Sequence, residues 1–177
     1  NVRSFSRVNA SLPCGAREGV CAPGMGPNAA FALAAQCYQT LMADGRKAKQ
    51  ACDMNIVTPA LENIIEANIL LSGLGFESGG LAAAHGIVDG LTILPGTHKY
   101  MHGEEGAFGT LCHMMLENAP TEELEEVLDF CLDVGLPVCL ADIGVESISP
   151  EELRQVAEKA SIPEESTHAM PFPVNAQ

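Results

Sequence analysis

Ser72–Gly109 reads SGLGFESGGLAAAHGIVDGLTILPGTHKYMHGEEGAFG, and its punctuation decides the fold. Small and aliphatic residues dominate it, with no sustained alternation of apolar and polar positions, so the period is helical rather than β. Two histidines stand in it, His85 in a run of small apolar residues and His102 at the head of a Gly-rich turn into a second apolar run. On one straight helix a separation of 17 residues would rise about 25 Å, too far for two rings to share an ion. Pro95-Gly96 forbids that single helix. The chain must turn back, and an antiparallel helix pair then brings both rings to one point, as metal sites in helix bundles are built.

Helical signals continue on both sides. Asn28 to about Ala43 predicts an Ala-rich helix stopped at Asp44-Gly45, with a shorter helix over Arg46 to Asp53. Thr58-Pro59 is a start signal, Thr as N-cap and Pro at the first helical position, and Gly73 and Gly75 are expected to close that helix. Ser78 can cap a helix from Gly79 to about Leu94 that carries His85. The next helix should run from His102 or Gly103 to about Asn118, and another, capped by Thr121, from Glu122 to about Val134. Ser149-Pro150-Glu151-Glu152 is a capping box opening a helix to about Ala160. Leu136–Leu140 is the one short β-like run, weakened by Pro137. Residues 1–27 are irregular and 161–177 Pro-rich. The expectation is an all-α, multi-helix bundle forming a single helical metal-binding domain over residues 1–177.

Composition agrees. The chain has 177 residues, 47% hydrophobic and 18% charged, without Trp, so its core must be built from Ala, Leu, Ile, Val and Met. A formal net charge of −14 repels phosphate backbones and anionic lipid, which argues against nucleic-acid and membrane partners. No apolar run approaches the roughly 20 residues that span a bilayer. Seven cysteines without a C-x-x-C pair fit reduced thiols and a cytoplasmic setting. The N-terminus lacks Met and an apolar signal segment, so a processed or partial chain is expected.

Two imidazoles do not complete a catalytic zinc site, which takes three protein ligands and an open position. Asp89, His98, Glu104 and Glu105 are candidates for the third, none with decisive spacing, and the third can lie outside the chain. Gly24-Met25-Gly26-Pro27-Asn28-Ala29 matches G-x-G-x-x-A, but no apolar strand precedes it, so it reads as a helix start rather than a dinucleotide loop. His113 reads as a core or interface histidine, and the role of His168 is open.

Thr58-Pro59-Ala60-Leu61-Glu62, the run from Leu71 to His85, His102-Gly103-Glu104, Ala107-Phe108-Gly109-Thr110-Leu111 and Leu116-Glu117-Asn118-Ala119-Pro120 together resemble the glycerol dehydrogenases of the iron-containing (group III) polyol and alcohol dehydrogenases. The resemblance covers nearly the whole chain and is weakest in residues 1–27. It implies the C-terminal, all-helical portion of a two-domain protein whose N-terminal domain binds NAD. Carried over by position, His85 and His102 are similar to two zinc ligands and Phe76 to a residue lining the glycerol pocket. The family's third ligand, an aspartate, would fall before Asn1, so the chain alone is not expected to oxidise glycerol. The resemblance also implies a homo-oligomer. Val88 stands where the family often has His, and Glu105-Gly106 where it usually has Lys-Val. Alternatives are a related vicinal-diol or sn-glycerol-1-phosphate dehydrogenase, a dehydroquinate synthase, or a catalytically inactive helical interaction module. The absence of a basic cluster near His85 and His102 disfavours a phosphate substrate.

Overall fold

Helices and turns make up the computed structural model, which describes residues 27–176 and holds no strand among them. In chain order they are α1 (Asn28–Asp53), α2 (Pro59–Glu66), a wide π-helical turn (Ala67–Leu71), α3 (Ser72–Gly79), α4 (Ala83–Leu91), α5 (His102–Leu116), α6 (Thr121–Val134) and α7 (Pro150–Lys159). Single 3-10 turns lie at Thr97–Lys99, Leu140–Ile143 and Ser166–Ala169.

The predicted stop at Asp44-Gly45 is a misreading, because α1 runs unbroken through it. Gly45 is instead buried beneath α6, where a Cβ would meet the Phe130 ring at 2.7 Å. Glycine there permits a close helix crossing rather than a left-handed cap. Arg46 then lies over the Phe130 ring, 5.2 Å from its centroid, and its Nε donates to Asp133 at 2.6 Å. That pair is exposed and worth at most about 1 kcal/mol, so the ring on the glycine carries the contact.

Thr58 caps α2 as expected, accepting from the Leu61 N–H at 3.3 Å, and Ser149 caps α7 in a capping box with Glu152. Gly73 and Gly75 do not close the second helix, which continues through the π turn into α3. There Ser72 N–H donates to the carbonyl of Ala67 five residues back, which also accepts the buried Cys37 thiol of α1 at 3.6 Å. Gly75 is buried close to the backbone of Ala34. The expected helix from Gly79 to Leu94 is also corrected. The chain breaks at Gly80, whose φ of 77° and ψ of −171° are open essentially to glycine alone, and α4 is only 9 residues long. Ser78 therefore caps nothing downstream. Thr121 begins α6 as its first helical residue, with Pro120 at the cap position. The Leu136–Leu140 run forms no strand, and the tail holds the turn at Ser166–Ala169. Gly24, Met25 and Gly26, like most of the irregular start, lie outside the described residues.

A helix as short as α4, with two internal glycines, has no stability of its own. Packing holds it on three sides. A Cβ on Gly109 of α5 would meet the Ala84 carbonyl at 2.6 Å, and one on Gly90 would meet the Val156 carbonyl of α7 at 2.6 Å. A Cβ on Gly86 would strike Thr167 of the C-terminal turn. Leu91, Leu94, Ile143 and Val156 close a core under its far end, each aliphatic side chain contributing roughly 1.5–3 kcal/mol on burial. Ala82 and Ala83 pack with Ala169 and Met170 at its near end. The Thr97 hydroxyl donates to the carbonyls of Leu91 and Leu94 and fastens the following turn back onto α4.

The two kinds of glycine make opposite predictions. Gly90→Ala pushes a methyl into backbone and should cost about 1–3 kcal/mol. Gly73→Ala meets nothing within 4 Å and should gain about 0.5–1 kcal/mol of helix stability. Urea unfolding of both variants checks the pair.

Candidate metal centre

His85 sits in the first turn of α4, half-buried, and His102 is the first residue of α5, exposed. The turn between these helices brings the two rings together, with centroids 5.3 Å apart and planes tilted by 53°. Two imidazoles on one tetrahedral zinc, each nitrogen at about 2.0–2.1 Å, place their ring centres about 5 Å apart. The observed separation fits that arrangement.

The five histidines divide cleanly. His98 donates from Nε2 to the Thr92 carbonyl at 2.8 Å. His168 donates from Nε2 to the carbonyls of Ser161 and Ile162, at 3.0 and 3.1 Å. His113, fully buried, accepts the Ala84 N–H on Nδ1 at 3.3 Å. These three serve the fold. Among the described residues neither the His85 ring nor the His102 ring makes a hydrogen bond, and they are the two that meet.

Burial lowers the pKa of His85, the neighbouring His102 lowers it further, and Asp89 opposes both. The positive end of the α4 dipole acts in the same direction as burial. The ring is thus held neutral, the form in which it binds a metal.

The other candidate donors are committed elsewhere or do not join the pair. Glu104 turns back on its own helix and accepts the Met101 N–H at 2.8 Å. Asp89 faces Glu165, whose carboxyl is raised by burial and then by the charge of Asp89 and a hydrogen bond with it. Glu105 is buried in α5. Among the described residues no three His, Cys, Asp or Glu side chains stand close enough to hold an ion. Phe76 is half-buried near the end of α3, across the Gly80–Ala82 break from His85. Val88 is buried against α5, close to Gly109, so this position is spent on helix packing. An apolar cavity of about 120 Å³ between α1, α5 and α6, lined by Tyr38, Leu41, Met114 and Phe130 among others, contains neither ring of the pair. The five described cysteines are free thiols, and no described helix is long and apolar enough to cross a membrane.

His113 is buried in the core as expected, but its partner, the Ala84 N–H, is not legible in the sequence. Its signal is indirect, because α4 begins after Ala82, which has no side-chain acceptor to cap the helix. The cap must come from elsewhere in the fold.

The described residues form a helix bundle in which two uncommitted imidazoles meet at the starts of neighbouring helices. No family model matches the chain. It is 53% identical over 153 residues to a glycerol dehydrogenase of Thermotoga maritima, covering 86% of this chain and 42% of that protein. To a glycerol dehydrogenase of Escherichia coli it is 52% identical over 169 residues, 96% of this chain and 44% of that one. A crystal structure of a probable glycerol dehydrogenase from Sinorhizobium meliloti superposes with a TM-score of 0.89 at 43% identity, covering 98% of this chain and 48% of that one. Over the matched residues the chain is homologous to glycerol dehydrogenases, and it spans less than half the length of these relatives.

In the metal-free protein, NMR titration should find His85 half-protonated below the ordinary imidazole value of 6.5. His102→Ala should move it up and Asp89→Asn further down. Because the folded ring takes its proton at lower pH than the unfolded one, its contribution to stability is complete above 6.5 and is lost as pH falls from there through the lower folded pKa. A His85 value at or above the ordinary one contradicts the assigned environment.

Proposed function

We propose that this chain is the metal-holding helical part of an NAD-dependent glycerol dehydrogenase, with His85 and His102 as two zinc ligands and the third donor outside the described residues. The observation that carries the reading is the meeting of the two histidines that bind nothing else, in a chain homologous to glycerol dehydrogenases. When bound, zinc supplies a Lewis acid that lowers the pKa of a coordinated hydroxyl.

The chain's own residues do the rest of their share by position. His85 and His102 offer ring nitrogens from two helix starts, so their spacing is set by the α4–α5 contact rather than by flexible side chains alone. Phe76 supplies apolar surface for the carbon side of a polyol. Bound NAD would supply the hydride acceptor for oxidation of glycerol to dihydroxyacetone, the hydroxyl proton leaving as well.

The 177 residues by themselves are proposed not to turn glycerol over. Among the described residues there is no strand and hence no βαβ unit for a dinucleotide. A steady-state assay with zinc, NAD and glycerol should stay at background, and turnover would overturn this part. The absence of a three-donor cluster among the described residues keeps an inactive helical module as the second reading. Calorimetry separates the two: zinc should bind with one-to-one stoichiometry, and His85→Ala and His102→Ala should each weaken it by about tenfold or more. Equal affinity in the double variant would refute the ligand assignment.

A further inference from the structure

We infer that His113 is a positioning residue for the ligand pair, holding the start of α4, and hence His85, in place against α5. The inference rests on the reading of His85 and His102 as ligands. Its geometry is specific. His113 lies in the last turns of α5, on the helix that begins with His102, and its ring is fully buried. Its Nδ1 accepts the N–H of Ala84, the residue immediately before His85. α4 has no side-chain cap of its own, so this bond satisfies one of the amides a helix start leaves open. One helix therefore carries the second ligand at one end and orients the first ligand's backbone from near the other.

The tautomer follows from the surroundings. Glu117 Oε1 lies 3.3 Å from Nε2, and its side chain is almost completely buried. The carboxylate favours a proton on Nε2 and leaves the Nδ1 lone pair for Ala84. The two atoms are too poorly aligned to form a hydrogen bond, and both lack any other partner among the described residues. The bond to Ala84 is thus the aligned one, and a buried polar ring kept for a single backbone amide of the ligand helix is more than filling. Gly109, one turn earlier on α5, lets the backbones approach closely enough for it to form.

Two variants of similar polarity separate positioning from mere occupancy of the core. His113→Asn keeps a carbonyl oxygen where Nδ1 stood, whereas His113→Gln keeps a polar group only toward Nε2. Zinc affinity of the full chain, measured by calorimetry with circular dichroism to confirm folding, should stay within about threefold of wild type in H113N. It should fall roughly tenfold or more in H113Q, the loss typical of groups that orient a metal ligand. Equal affinities in the two variants would overturn the inference. If wild type binds zinc no better than His85→Ala, the ligand reading has failed and metal-free NMR decides about His113. Faster amide exchange at Ala84 and displaced His85 ring signals in H113Q, but not in H113N, then support the positioning role; unchanged signals in both overturn it.

Discussion

The contact between α4 and α5 is the constraint on which the rest of the site depends. α4 is 9 residues long and contains Gly86 and Gly90, so its backbone is expensive to order and its propensity weak. It exists as a helix because its neighbours close on it to backbone distance, α5 through Gly109, α7 through Val156 and its C-cap Ala160, the C-terminal turn through Thr167. The same small residues that make such approach possible leave the helix without the bulk to hold itself. His85 is rigid only to the extent that this packing is.

Two consequences follow for chemistry. The distance between the rings is a property of tertiary packing, since one ring is on each helix and the link between them is the turn fastened by Thr97 and His98. The electrostatics point the same way, because burial of His85 beside a second imidazole favours its neutral form. Proton and metal compete for the same lone pairs, and the fold weakens the proton's hold.

What was legible in the sequence was whatever is decided locally. Thr58-Pro59 and Ser149-Pro150 announced helix starts because a capping hydroxyl acts on an amide three residues away, within the same short word. The break between the histidines was legible because Pro95 acts on its own backbone. Two of the failures share one cause. Gly45 was read as a stop, yet its partner is Phe130, 85 residues further along. Gly75 likewise answers to Ala34. A glycine that ends a helix and one that admits a neighbour look the same until the neighbour is known. The pairing of His85 with His102 had the same weakness, since spacing left it open, and the resemblance and then the ring geometry gave it content.

The central claim is that these two imidazoles bind one ion. Zinc K-edge X-ray absorption on the chain loaded with one equivalent of zinc tests it most directly. The account predicts two histidine nitrogens at about 2.0–2.1 Å, with the remaining positions filled by oxygen. Removal of His85 or His102 should each subtract one imidazole from the pattern. A shell containing thiolate sulfur at about 2.3 Å, or an imidazole count unchanged in either variant, would contradict it.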